Sequence, residues 1–127
     1  MISTREDAAA FAARWAQDWN RRAVESILEH FHADIVFVSP TALAVVGVPA
    51  VRGQEALRAY WGAALARINS MHFTIDHVLW DSSRRELAII YLADFDGKAR
   101  RMSENLTFDT EGKVVAAEVF HGVPAAS

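Results

Sequence analysis

The sequence contains no cysteine. That excludes disulfide staples, thiol nucleophiles and zinc sites built on thiolates, and it fits a reducing, cytoplasmic setting. No stretch approaches the ~18 consecutive apolar residues of a membrane span. The opening "MISTREDAAAFAARW" sets Glu6 and Asp7 ahead of an interrupted apolar stretch, so no signal peptide is expected there. Basic charge is not clustered: 13 Lys and Arg stand against 16 Asp and Glu, for a net charge of −3. Nucleic-acid binding is therefore disfavoured, because phosphate neutralisation needs a basic stripe. Internal repeats, linkers and low-complexity tracts are also missing.

What is present is an ordinary globular balance: 127 residues, 52% hydrophobic and 23% charged. One domain over residues 1–127 with a single core is expected.

Ser3 to about Asn20 predicts a helix. Ser3 and Glu6 have capping-box spacing, and Ala8, Phe11, Trp15 and Trp19 fall on one stripe. A second helix is expected over Ala23–Phe31. "ADIVFVSP" alternates as a strand that puts Phe37 and Ser39 on one face. "TALAVVGVPAVRG" is apolar, yet it holds Gly47, Pro49 and Gly53, which predicts a loop or flap. Gln54 to Ile68 carries Leu57, Tyr60, Trp61, Ala64, Leu65 and Ile68 at helical spacing. Four strands follow: "MHFTIDHVLW", "ELAIIYLADF", "KARRMSENLTFD" and "KVVAAEVFHG". Helices first and strands later mean an α+β fold, three helices on a curved, mostly antiparallel sheet.

Asp96-Gly97 predicts a two-residue hairpin turn with both residues at positive φ. Counting back from it, Tyr91 faces Met102, Ile89 faces Glu104 and Leu87 faces Leu106. Directly opposed residues share a sheet face. Glu104 is then the lone carboxylate at the middle of an apolar face, with Tyr91 diagonal to it. The last strand predicts Val115, Ala117, Val119 and His121 on one face. The turn at "DTEG" sets His121 nearer Arg100 than Glu104.

Three segments carry a family likeness: "RWAQDWNRRAVESILEHFHADIVFVSP" as a helix-helix-strand opening, "VRGQEALRAYW" as a glycine-led helix, and "GKVVAAEVFHG" as a closing strand. With them the chain resembles the NTF2-like superfamily, the cone fold of nuclear transport factor 2, steroid Δ-isomerases and SnoaL-type polyketide cyclases. The resemblance implies an apolar cup between the sheet's concave face and the helices, and a convex face that often dimerises. It also allows a test by position. Where the steroid isomerases carry a tyrosine donor, this chain has Trp15. Where they carry an aspartate base before proline, it has Ser39. Where they carry a protonated aspartic acid, it has Glu104. One of three positions keeps its chemistry, and the base is missing. SnoaL-type cyclases and related epoxide hydrolases also place a carboxylate in the cup.

Glu104, Tyr91 and His121 are thus the candidate catalytic residues. A carboxyl in an apolar cup has a raised pKa and can donate or take a proton. Tyr91 could add a second donor to a developing oxyanion, and His121 titrates near neutrality and could serve as base. Structural alternatives are a paired Glu104, a core Tyr91 and a solvated rim His121. Trp15, Trp19, Phe37, Ser39, Tyr60, Trp61, Ile89, Met102, Leu106, Ala117 and Val119 are expected to line the pocket. Ser39 has no His-Asp partner in the sequence and reads as a hydrogen-bonder rather than a nucleophile.

No metal site is expected. His30 and His32, two apart at a helix end, do not face each other, and His72 and His77 are placed on opposite strand faces. Arg84-Arg85 reads as a turn. Arg100-Arg101 straddles the two faces of its strand and reads as solvated charge.

Two functional readings remain open. One is a cofactor-free enzyme performing isomerisation, cyclisation or hydration on a small lipophilic molecule. The other is a non-catalytic module that binds a ligand or a partner. A homodimer is expected through the face carrying Ile90, Leu92, Ala116 and Phe120, with neither a membrane nor nucleic acid as partner.

Overall fold

In a computed structural model, residues 1–125 are described. The element order is α1 (Arg5–Asn20), α2 (Val24–Leu28), β1 (Phe31–Val38), α3 (Pro40–Val46), β2 (Ala50–Arg52), α4 (Gln54–Ala66), β3 (Met71–Asp81), β4 (Glu86–Phe95), β5 (Lys98–Phe108) and β6 (Val114–Pro124).

Six strands form one sheet in the order β2-β1-β6-β5-β4-β3. Every neighbouring pair is antiparallel except β1 and β6. The α+β, NTF2-like architecture expected from the sequence is the one observed, with one helix more than expected. Among the described residues no helix is long and apolar enough to cross a membrane.

Helix α1 starts at a capping box one residue later than Ser3–Glu6. Thr4 Oγ1 accepts from Asp7 N at 3.0 Å, and Asp7 Oδ2 accepts from Thr4 N at 3.2 Å. Two overlapping boxes compete here, and Asp7 also gathers the Ser3 N–H and hydroxyl. The helix buries Ala8, Ala12, Trp15, Ala16 and Trp19 against the sheet, while Phe11 is half-buried.

Helix α2 ends three residues short of the expected Phe31. Phe31 instead opens β1 and pairs with Val114, as Val114 N donates to His30 O at 2.8 Å. The largest correction is α3, in the segment expected to be a flap. Ser39 is its N-cap, accepting from Thr41 N at 3.1 Å, Pro40 occupies the first turn, and Gly47 closes it at φ 83°. Proline tolerates the first helical position because its missing N–H would be unsatisfied there anyway. The residues after α3 make the short edge strand β2.

The β4–β5 hairpin has the register read from its turn. Asp96 and Gly97 have φ of 55° and 84°, and Tyr91↔Met102, Ile89↔Glu104 and Leu87↔Leu106 are partners. Bulges change what could not be counted. One between Ile75 and His77 brings His72 and His77 onto the same outer face, opposite Asp94 and Ile90. Another between Thr107 and Phe108 turns Val114, not Val115, inward opposite Phe108. Extra residues on one strand bend it, and this sheet curls around the helices.

Candidate functional site

The curled face and the helices leave a cavity of about 100 Å³. A water needs roughly 10–15 Å³ of such space, so the volume is well beyond a packing defect. Each part of the chain supplies a wall. Trp19 comes from α1, Phe37 from β1, Tyr60 and Trp61 from α4, and Met102 and Glu104 from β5.

Aromatic contacts hold the walls. Trp19 meets Trp61 edge-on at 4.9 Å between ring centroids, and Phe73 meets Tyr91 at 4.8 Å. Such pairs contribute about 0.5–1.5 kcal/mol beyond the area they bury.

Glu104 lines this cavity with only 4% of its surface exposed. Its Oε2 is buried with no hydrogen-bond partner. No cation joins it in any ion pair among the described residues. Burial in this apolar setting pushes its pKa up to about 8, and the nearby indole N–H of Trp15 works the other way. That indole does not complete a hydrogen bond, since Trp15 Nε1 is itself buried without a partner. At neutral pH the carboxyl is therefore protonated, an O–H that no protein acceptor engages.

The other titratable groups respond to the same environment. Tyr91, 1% exposed, has its pKa raised well above the ordinary value by burial and then by the nearby Glu104. Burial also raises Tyr60. The side chains of Ser39 and Thr41 pull it back, and Glu104 raises it further. All three groups stay neutral at physiological pH, so the site offers O–H donors rather than charge.

His121 stands at the rim. It pairs with Met102, midway between Arg100 and Glu104 rather than nearer Arg100 as counted from the turn. The bulge between Thr107 and Phe108 adds one residue, Val115, to β6 and so moves the later partners on that strand, through His121, by one. Partial burial, then the charge of Arg100, lower its pKa below 6.5. It is a neutral imidazole at neutral pH. His121 and Glu104 are diagonal neighbours on this face, and no ion pair joins them among the described residues.

The cavity also takes in Ser39 and Val119. Ser39 spends one lone pair capping α3, which suits a positioning hydrogen-bonder and not a nucleophile. Trp15, Ile89, Leu106 and Ala117, expected to line the pocket, are buried in the core and do not line it. Trp15 stacks on Phe73 and meets Tyr91 edge-on at 5.0 Å, one layer behind the wall.

Sequence reasoning missed Thr41, Ala64, Leu65, Ile68, Met71, Phe73 and Phe95 as lining residues. Leu65 is on the α4 stripe, Ile68 belongs to the same stripe of the expected helix but lies two residues past the end of α4 at Ala66, and Phe95 is on the correct face of β4. Alternation in "MHFTI" would have paired Phe73 with Met71. Thr41 could not be found without recognising α3.

The four histidines outside the site have other placements. His30 packs edge-on against Phe11, and His32 Nδ1 accepts from Asp34 N. No group of three metal-ligating side chains occurs among the described residues, His72 and His77 included.

Comparison with known proteins bears on this geometry. The family model for the SnoaL-like domain matches residues 12–121. A SnoaL-like protein of unknown function from Burkholderia thailandensis is 28% identical, covers 94% of this chain and 98% of its own, and superposes with a TM-score of 0.85. A protein of unknown function with a cystatin-like fold from Methylobium petroleophilum is 21% identical over 100% of this chain and 83% of its own, with a TM-score of 0.77. The epoxide hydrolase/cyclase-like enzyme SalBIII, from pyran ring formation in the polyether salinomycin, shares the fold. It is 18% identical over 96% of this chain and 95% of its own, with a TM-score of 0.75. No curated protein matches the chain. The family match spans Ala12 through His121, the interval that contains all the lining residues discussed above, and the chain therefore belongs to the SnoaL-like domain family of the NTF2-like superfamily.

Proposed function

We propose that this protein is a cofactor-independent enzyme that binds a small lipophilic molecule in the cup and acts on its carbonyl or epoxide oxygen by general acid catalysis. The observation that carries this reading is Glu104: a buried carboxyl, Oε2 unpartnered, facing a cavity of about 100 Å³ that shares Thr41, Phe95, Met102 and His121 with a larger groove at its mouth.

Leaving a buried polar atom unsatisfied costs about 1–3 kcal/mol. A ligand oxygen placed there would recover that cost. In the acid step the Glu104 O–H donates to the substrate oxygen as charge develops on it. Tyr91 lies on the diagonal and supplies a second donor. His121, neutral at the mouth, takes a proton from water or from an acidic C–H at the outer end of the ligand. The product is the isomer, ring or hydrate, and no external oxidant or reductant is needed. Similarity to SalBIII, whose name describes an epoxide hydrolase/cyclase-like enzyme, supports this class of reaction.

A test is turnover of a panel of lipophilic enones and epoxides by the wild type and Glu104→Gln. The substitution keeps shape and removes the proton donor. A loss of roughly 100-fold or more is expected with the fold intact. Full rate in Glu104→Gln would reject the acid role. Binding of the panel with no turnover by the wild type would favour the second reading, a ligand-binding module, for which the otherwise apolar lining speaks.

A further inference from the structure

The floor of the cup is defined by Glu104, but its mouth has chemistry of its own. Along β5 the inward positions run Lys98, Arg100, Met102 and Glu104, opposite Phe95, Ala93, Tyr91 and Ile89. At Thr41, Phe95, Met102 and His121 the cavity continues into a groove of about 540 Å³, and Lys98 and Arg100 line that groove. One strand face thus carries two cations at the opening and one acid at the far end. Four residues of strand place the Arg100 and Glu104 backbones about 13 Å apart.

The cations have no acidic partner: among the described residues, no ion pair includes Lys98 or Arg100. The nearest acids in sequence are engaged elsewhere. Asp94 Oδ1 accepts from Gly97 N at 2.9 Å, and Asp96 Oδ1 accepts from Asn69 N at 2.9 Å and Ser70 N at 2.7 Å. Arg100 is half-buried, and its Nη1 donates to the Gly122 carbonyl, which fixes the guanidinium at the rim. A guanidinium has five N–H donors, so the fork has others to offer. Arg101 behaves differently. It points to the outer face and pairs with Asp76 at 2.7 Å. The double arginine is therefore split, with one member neutralised outside and the other uncompensated at the mouth.

We propose that the ligand of this cup is amphipathic: a lipophilic body that reaches inward to Glu104 and a terminal carboxylate held by Arg100 and Lys98 at the mouth. This inference rests on the cup being a ligand site and adds the class of ligand. Arginine engages a carboxylate through two parallel N–H bonds, and lysine adds a second positive charge. The separation along β5 sets the spacing between the anion and the reacting end. A neutral Glu104 does not repel the incoming anion. The apolar lining between them, Met102 and Phe95 among it, suits an alkyl or ring spacer.

The experiment titrates octanoate and 1-octanol into the intact protein at neutral pH, read by the fluorescence of Trp19 and Trp61 in the cavity wall. Charge-assisted hydrogen bonds contribute about 1.5–3 kcal/mol, so octanoate is expected to bind at least about tenfold tighter than octanol. In the double variant Lys98→Gln, Arg100→Gln that margin should vanish with octanol affinity unchanged. Arg101→Gln should keep it. Raising salt from about 50 mM to about 500 mM should weaken octanoate alone. Equal affinities in the wild type, or a margin that survives the double substitution, would overturn the proposal while leaving the cup reading intact. If neither probe altered the tryptophan signal, the cup itself would not be a ligand site and both readings would fall.

Discussion

Glu104 stands across the ladder from Val119, one inward position deeper than Met102, whose partner on the same strand is His121. The acid therefore sits at the floor and the imidazole at the rim of one face. Burial acts on them in opposite directions. It raises the carboxyl to about 8 and lowers the histidine, so both are neutral in the same pH range. An acid and a base that are both in their working forms near neutrality follow from position alone.

That arrangement gives a bell-shaped dependence of kcat/KM on pH. The rate should rise as His121 loses its proton at a pH below 6.5 and fall as Glu104 ionises near 8. A profile measured from pH 5 to 10 on any substrate found in the panel tests it. His121→Gln should remove the acidic limb and keep the alkaline one. An alkaline limb that persists in Glu104→Gln would assign it to another group.

Stability should carry the same signature. The unfolded chain ionises Glu104 near 4.5 and the folded one near 8, so between these values the folded state holds a proton that the unfolded state has lost. Stability then falls as pH rises through that window and levels off above it. The contribution is at most roughly 5 kcal/mol. Glu104→Gln should flatten the slope. Urea midpoints of both proteins across the window are the check, and parallel curves would show that Glu104 is not the source.

Gly122 is a further constraint at the mouth. A Cβ added there would meet the Arg101 carbonyl oxygen at 2.6 Å, a backbone atom that cannot swing aside. Gly122→Ala should destabilise by about 1–3 kcal/mol, the cost of overpacking. Because Arg100 Nη1 donates to the Gly122 carbonyl, octanoate affinity should also drop. Thermal unfolding within error of the wild type would contradict the close approach.

The outer face makes a separate claim. Leu92 is 40% and Phe120 46% exposed, and Ile90 and Ala116 lie on the same side of the sheet. We expect this face to form a homodimer, since large apolar side chains exposed on one sheet face suit an interface. Phe120→Lys with Leu92→Lys should give monomer in sedimentation at micromolar concentration. A wild type that sediments as monomer would reject the interface.

How much of this was legible in the sequence depends on where a count could start. The two-residue turn at Asp96-Gly97 fixes every partner along β4 and β5, so Glu104 could be placed opposite Ile89 from residues alone. Alternation fails wherever a bulge adds a residue without a marker, as between Ile75 and His77 or before Phe108. His72, His77, Val114 and His121 were misplaced for that reason. Helix α3 was hidden because Gly47 and Pro49 suggested a loop, although Ser39-Pro40 and Gly47 are helix start and stop signals. The cavity wall was legible only in part. Which of Trp15 and Trp19 faces the void is decided by how α1 lies on the sheet, a tertiary fact that helical spacing does not encode. Arg100 and Arg101 straddle the strand faces, and the sequence alone does not show that Arg101 pairs with Asp76 outside while Arg100 stays at the mouth.

The most direct test of the central claim is titration of the Glu104 carboxyl itself, followed by carbon NMR of glutamate-labelled protein and assigned by its loss in Glu104→Gln. A buried, unpartnered acid at the floor of the cup gives a midpoint near the expected value of about 8. A midpoint near the ordinary 4.5 would mean that the carboxyl is solvated or paired, and would contradict the acid chemistry proposed for this site.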